Sequence, residues 1–398
     1  MNIGIFGDQR FLYDSNGNFY TKGNLRGVLL EEYAKHFDKI YLFFRTKQSD
    51  LSWAPKKDLI RNNKIEFVHL PTFEGLLGFS FNKNKIEKII EDNIEKCDVC
   101  ILRFCYKISC LAAPIAAKHK KPTIAHIRGH GYESMMYDIE RIPFYAARRF
   151  FAFLNWKSNS KHVRMCDRII GTSKAVADIY AEPGRNTLGI ADGCTTQDFF
   201  LPFRRRTPGK PVNILVVARI NYAKNVQQLV RAMARIKAMS LNATLTIVGD
   251  GPYHDELKHL AHTLKISHMV HFAGRVNSRN ELIEYYRAAH IGALTSLTEG
   301  LPSSVLESMA ASLPIVCTDL LCMKEIITEG TNGFLVKVGD DGECANKLAI
   351  LIKDEAVRER MGISANKVAE SFRTDKQVAL LANLVLELKN APVKEIRK

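Results

Sequence analysis

The chain has no long hydrophobic run. Its longest uncharged apolar stretches, such as Leu111 to Ala117, fall far short of the ~20 residues that a membrane span needs. Its first residues, Met1-Asn2-Ile3-Gly4-Ile5-Phe6-Gly7-Asp8, lack the basic start and apolar stretch of a signal peptide and read as a first β-strand. The expected location is therefore the cytoplasm, or the inner face of the cell membrane as a peripheral protein. There is no G-x-G-x-x-G, which argues against a nicotinamide dinucleotide site, and no Asp-x-Asp with which to bind a metal. The nine cysteines have no even spacing, as suits a reducing compartment. Cys97, Cys100, Cys105 and Cys110 cluster, but the first two fall in an apolar strand-like run and no second pair follows at zinc-ribbon spacing. Core cysteines, no metal and no cofactor are the expectation. Low-complexity tracts and short repeats are also lacking.

What is present is an ordinary globular composition, 46% hydrophobic and 25% charged, with a net charge of +15. The charge calls for an anionic partner, and nucleic acid, anionic lipid and phosphorylated small molecules all qualify. A length of 398 residues corresponds to two or three domains. β-type runs at 2–6, 39–43, 65–70, 98–102, 123–126 and 168–170 alternate with helical-period segments such as 25–36 and 83–95. After the Pro-, Gly- and Arg-rich stretch 202–211 the alternation restarts at 212–218 and continues through 243–248, 270–272, 291–294 and 314–316. The fold class expected is α/β: two doubly wound, Rossmann-like domains of parallel sheet facing a cleft.

The most informative segment is Glu299-Gly300-Leu301-Pro302-Ser303-Ser304-Val305-Leu306-Glu307. Gly300, Leu301 and Pro302 form a turn between a strand and a helix expected over 304–312, with Ser303 as N-cap. The helix start offers N–H groups and partial positive charge to an anion. Glu299 before it and Glu307 inside it are acceptor-only carboxylates, suited to sugar and ribose hydroxyls. The alternative is a capped helix with incidental acids. Arg219 and Lys224 follow the strand 212–218 on the same rim and suit a diphosphate, unless they are simply solvated cations. Gly249-Asp250-Gly251-Pro252 would let a ligand approach the backbone at Gly251. Ala273-Gly274-Arg275-Val276 would present backbone to a nucleobase. In the first half, Thr21-Lys22-Gly23-Asn24 precedes a helix and would approach phosphates. His126-Ile127-Arg128-Gly129-His130-Gly131 places two histidines on a loop, His126 closer to the core and His130 farther out.

Residues 141–168 are both basic and aromatic, including Phe150, Phe151, Phe153, Trp156, Lys157 and Lys161. Such a helix suits an anionic membrane surface, and equally a helix of the first domain with its cations in water.

Taken in order, Val217-Ala218-Arg219 with Lys224, the glycine turn 247–252, 271–276, 299–316 and the Glu325/Asn332-Gly333 region resemble the retaining glycosyltransferases of family four, of GT-B fold and bacterial cell-surface polysaccharide type. The resemblance is dense over 210–340 and weaker in the first half. It implies a first domain (1–205) that binds the acceptor and a second (206–375) that binds the nucleotide sugar. A C-terminal segment (376–398), with its helix near 377–388, would cross back to the first domain. It implies Glu299 on the donor sugar, Glu307 on the ribose, Arg219 and Lys224 on the diphosphate, and Arg275 and Val276 beside the base. The first-domain histidine is placed at His130 rather than His126. The usual paired glycine is reduced to Gly23, and the interdomain linker reads Asp192-Gly193-Cys194-Thr195. The expected partners are a nucleotide-sugar donor and a glycan or lipid-linked acceptor, with no nucleic acid. The reaction implied is metal-independent, front-face transfer with retention, since no carboxylate stands out as a nucleophile ~5 Å from an acid. The alternatives are a sugar-nucleotide 2-epimerase of the same fold and a basic nucleic-acid-binding protein.

Overall fold

The computed structural model describes residues 1–390 except 22–24, 26, 53, 55–58, 105–106, 130, 139–144, 194, 206 and 208. Two compact units divide the chain. The first comprises Met1–Tyr132, Phe144–Cys194 and the C-terminal segment from Thr374. The second comprises Glu133–Pro143 and Thr195–Arg373.

The first unit is built on β1 (Asn2–Tyr13), β2 (Phe19–Tyr20), β3 (Lys39–Gln48), β4 (Ile65–Leu70), β5 (Val99–Phe104), β6 (Thr123–Ile127), β7 (Arg168–Gly171) and β8 (Thr187–Gly189). The sheet order is β4-β3-β1-β5-β6-β7-β8, and every pair is parallel except the short β1–β2 hairpin. Ile3 pairs with Ile40 on one side and Val99 on the other. Side chains alternate across a strand, so Ile3 and Ile5 face one way and Phe6 the other. The Ile3 face packs on Leu29, Leu30 and Tyr33 of the helix Gly27–His36. It also packs on Val378, Leu381, Val385 and Leu388 of the helix Thr374–Asn390, spaced 3, 4 and 3 residues apart as a helix stripe requires. The opposite face packs on Ile86 and Ile90 of the helix Gly75–Asn93, Ile108 and Ala112 of the helix Lys107–Lys118, and Val163 of the helix Tyr145–Arg164. Burial on both faces is why these strands read as continuous apolar runs.

The second unit has β9 (Val212–Val217), β10 (Ala243–Val248), β11 (Val270–Gly274), β12 (Ile291–Leu294), β13 (Ile315–Thr318) and β14 (Gly333–Val336), in the order β11-β10-β9-β12-β13-β14. All its pairs are parallel, with Ile214 between Leu245 and Ile291.

The boundary lies earlier than the Arg-rich stretch suggested. Residues 195–205 join the second unit: the Leu201 N–H donates to Ala310 O, the Ser312 hydroxyl donates to Leu201 O at 2.6 Å, and Arg279 pairs with Asp198 at 2.6 Å. The return to the first unit begins at Thr374, and the Gln377 side chain accepts the Ala191 N–H at 2.8 Å. The strands β1 and β3 run on to Tyr13 and Gln48, past their apolar stretches, because they pair with each other through Tyr13–Gln48.

The C-terminal helix supplies core to the first sheet, so Leu381→Ala should lower that unit's stability by about 2–5 kcal/mol. A fall in the urea midpoint at unchanged slope would show it.

Candidate functional site

In the second sheet the chain winds outward from β9 to β11, then returns to lay β12 beside β9. The loops leaving β9 and β12 therefore diverge at a switch point, where open parallel sheets bind ligands. Arg219 and Lys224 leave β9, and Glu299 leaves β12. Asn221 caps a single turn by accepting the Lys224 N–H at 3.2 Å, and Asn225, in left-handed conformation (φ 46°), turns the chain into the helix Val226–Ala238. The Lys224 Nζ then donates to Glu299 Oε1 at 2.5 Å, and the Ser296 hydroxyl donates to the same oxygen at 2.6 Å. The two loops are fastened by the Leu297 N–H on Ala223 O at 2.8 Å and the Thr295 hydroxyl on Asn225 O at 2.9 Å. The Glu299 side chain is only 9% exposed and that of Lys224 24%, so the pair is held with little competition from water.

The helix beyond Glu299 runs Ser303–Ala310. Its N-cap is Pro302, one residue earlier than expected, and Ser303 occupies the first helical position. Proline has no side-chain oxygen, so no side chain caps this helix start. Gly300, Leu301 and Pro302 carry the chain from Glu299 to that start. Glu307, one turn in, accepts the Tyr286 hydroxyl at 2.6 Å. Tyr286 is buried edge-on against Phe199. Burial and the neighbouring Glu307 push its phenol well above the usual tyrosine range, so it remains a donor. Glu299 and Glu307 thus have separate partners, one a cation and a serine, the other a phenol.

The remaining cations differ from Lys224. Arg219 is exposed, and its guanidinium has no partner among the described residues. Arg275 is exposed and donates to Asn277 Oδ1 at 3.0 Å, with Val276 partly exposed beside it. The glycine turn has a different physical cause from the one expected. A Cβ on Gly249 would lie 1.8 Å from Ala218 O, and one on Gly251 would lie 2.1 Å from Ile220 O. These glycines admit the neighbouring backbone that carries Arg219, locked by the Ile220 N–H on Asp250 O. Gly23 and His130 lie outside the described residues.

In the first unit, His126 is the next-to-last residue of β6 and lies in the core. One backbone hydrogen bond joins it to Ile190, and its Nε2 has no partner among the described residues. Asp192 lies close by, accepting from Arg103 at 2.8 Å and Arg128 at 2.6 Å. Burial alone would raise the Asp192 carboxyl, but the Arg128 and Arg103 charges outweigh it and hold that carboxyl well below the usual range. For His126, burial pushes the imidazole down to about 4, and the two arginines work in the same direction. Asp192 was read from sequence as part of a hinge. It is a buried counter-ion, a role that appears only when β5 and β6 bring two arginines to it. Tyr286 and Ser296 were also missed. Ser296 lies three residues before Glu299, a spacing that could have flagged it.

Among the described residues no group of three or more His, Cys, Asp or Glu could hold a metal ion. None of their helices is long and apolar enough to cross a membrane.

Residues 198–368, which contain Arg219, Lys224, Arg275, Tyr286, Ser296, Glu299 and Glu307, match the family model for glycosyl transferases group 1. The N-acetyl-alpha-D-glucosaminyl L-malate synthase of Bacillus anthracis is 32% identical over 167 residues, covering 42% of this chain and 43% of that protein. A Campylobacter jejuni alpha-1,4-N-acetyl-D-galactosaminyltransferase, named for a diNAcBac-PP-undecaprenol glycan, is 28% identical over 180 residues, 45% of this chain and 49% of its own. The matched segment thus spans about half the length of these relatives. The crystal structure of Anabaena Alr3699/HepE in complex with UDP superimposes with a TM-score of 0.69 at 17% identity, over 97% of this chain and all of that one. The fold is GT-B, with two Rossmann-like α/β domains. One of these two relatives is a synthase and the other a transferase, and neither an epimerase nor a nucleic-acid binder is favoured.

His126 is held neutral in the folded state, so unfolding takes up a proton below the ordinary histidine pKa near 6.5. Stability should be full above that value and fall as the pH drops from about 6.5 towards 4. The Asp192 contribution is lost only at still lower pH. Urea midpoints measured across this window should slope in the native protein and flatten in His126→Gln.

Proposed function

We propose that the protein is a retaining, metal-independent glycosyltransferase that moves a sugar from a nucleotide-sugar donor to a glycan or lipid-linked acceptor in cell-surface polysaccharide synthesis, at the cytoplasmic face of the membrane. The observation that carries this reading is the Lys224–Glu299 pair at the switch point of the domain whose sequence matches the group 1 model. The UDP bound by the Anabaena protein makes a uridine nucleotide the first donor to try. The undecaprenol glycan in the Campylobacter name supports a lipid-linked acceptor.

In this reading the diphosphate lies over the side-chain-uncapped start of the helix Ser303–Ala310, where backbone N–H groups and the helix dipole favour an anion. The Lys224 ammonium has three N–H donors and uses one on Glu299, leaving two for phosphate oxygens. The exposed Arg219 adds a second charge. Together they neutralise the leaving diphosphate as the anomeric C–O bond breaks, the work a metal would otherwise do. The acceptor oxygen forms its bond to the anomeric carbon on the same face, and its proton passes to the departing phosphate oxygen. Configuration is thereby retained without a covalent intermediate. Glu299, oriented by Lys224 and Ser296, binds donor-sugar hydroxyls. Glu307, oriented by Tyr286, binds the ribose, and Arg275 and Val276 flank the base. The first unit takes the acceptor. His126 is buried and held neutral, and the acceptor contact is assigned to His130 on the resemblance alone.

A thermal-shift panel of UDP, GDP, ADP and CMP sugars tests the donor. Ligand at ~100 times its dissociation constant adds ~2.7 kcal/mol to stability. One nucleotide should shift the native protein and not Lys224→Ala. Transfer with that donor should fall ~10²-fold or more in Glu299→Ala, Lys224→Ala and Arg219→Ala. Three folded, fully active variants would refute the site. Tyr286→Phe should weaken nucleotide binding about tenfold, the worth of one hydrogen bond to a charged group, by titration calorimetry.

A further inference from the structure

The helix Tyr145–Arg164 packs Trp156 and Val163 on the core yet leaves a second set of large apolar side chains exposed. The residues it buries are Ala152, Asn159, Ser160 and Val163, so its inner face carries two polar side chains. Asn159 accepts the Cys110 thiol at 3.6 Å, and Lys107 reaches Asn155 at 3.3 Å, which fixes this face on the helix Lys107–Lys118. The outer face holds Phe150, Phe151, Phe153 and Leu154, all exposed, with Phe150 at 59%. A helix that meets only water and its own core carries the opposite pattern. Contiguous exposed aromatic side chains mark a surface that is covered in use.

A second helix buries Ile86 and Ile90 but also exposes large apolar side chains near its start. Gly75–Asn93 packs on the other side of the same helix Lys107–Lys118, where Glu95 just beyond it meets His119 at 2.7 Å. Near its start Leu77 is 77% and Phe81 86% exposed, the highest values among the large hydrophobic residues described. In both helices exposed cations lie beyond the apolar residues: Lys83, Lys85 and Lys88 in the first, where Lys83 faces Glu87 at 3.8 Å, and Lys157, Lys161 and Arg164 in the second, which also carries the exposed Arg149 just before Phe150. Both helices lead from the end of one parallel strand back to the start of another, β4 to β5 and into β7, so they run in the same direction. Their apolar N-terminal halves therefore share the end of the layer nearest the C-terminal strand ends, and their cations share the next level down.

We infer that these two N-terminal halves form one surface that seats on an anionic phospholipid membrane, the aromatic side chains at acyl depth and the lysines and arginines among the phosphates. Charge selects this occupant. Residues 145–164 contain Arg148, Arg149, Lys157, Lys161 and Arg164 and no Asp or Glu, on a chain of net charge +15. Paired aromatic and cationic levels match the interface between acyl chains and headgroups. The surface rests on the glycosyltransferase reading only for its use, which is to present a lipid-linked acceptor to the first sheet. Its existence rests on the two helices.

Vesicle flotation tests it, using phosphatidylcholine with and without about a third phosphatidylglycerol. The native protein should float with the anionic vesicles and not the neutral ones. Phe150→Ser/Phe153→Ser and Leu77→Ser/Phe81→Ser should each bind about tenfold or more weakly, since each removes two large apolar groups from the interface. Lys157→Glu/Lys161→Glu should lose the preference for anionic lipid. Each variant is first shown to unfold at the native temperature and to keep the native nucleotide shift. That control separates the two readings: a missing nucleotide shift in the native protein refutes the enzyme, whatever floats. No flotation of the native protein would overturn the membrane surface. So would flotation unchanged in both serine pairs, or a dimer in light scattering that the serine pairs dissociate, which would mean the face covers a second copy.

Discussion

A parallel strand obliges the chain to cross back over the sheet before the next strand can begin, and both units are shaped by that constraint. It puts the crossover helices in the same direction and gathers the strand-to-helix loops at one end of the sheet. In the second unit the reversal of order between β9 and β12 brings two of those loops together, and Lys224 and Glu299 meet there. In the first unit the same rule aligns two helices so that their apolar starts fall at a common level.

Electrostatics distinguishes the two units. At the switch point the ion pair is partly open: Lys224 keeps a quarter of its surface, and Arg219 stands free of partners among the described residues. Charge held that way can be redirected to a ligand. Around Asp192 the charges are closed in, since Arg103 on β5 and Arg128 just beyond β6 satisfy the carboxylate and His126 beside it is held neutral. A cluster so buried fixes the end of the first unit, where Gln377 and Thr374 of the returning C-terminal helix also hold the chain at Ala191 and Gly193. It has little freedom to bind anything else.

The polar groups behind the site residues follow the same logic. Glu299 and Glu307 lie eight positions apart in one segment, yet each is oriented by a residue from elsewhere: Glu299 by Lys224 across the sheet, Glu307 by a tyrosine buried in a neighbouring helix. A carboxylate whose rotamer is set in this way presents its second oxygen in a defined direction, which is what recognition of a hydroxyl requires.

The sequence alone determined the alternation of strands and helices, because burial on both faces writes continuous apolar runs and 3.6-residue periods directly into the chain. It also marked Gly300, Pro302 and the flanking glutamates as a strand-to-helix connection, since turn and helix-start residues are local signals. Tertiary structure decided the rest. Short strands such as β8 and β14 exist because a neighbour pairs with them. The domain boundary falls at 194 because residues 195–205 find partners in the second unit. The close approach that requires Gly251 depends on Ile220, distant in sequence. Asp192 becomes a buried counter-ion, and Tyr286 a support for Glu307, only when other segments are brought beside them. A pattern of spacing encodes what one segment prefers, and contacts between segments exist only once the chain has folded.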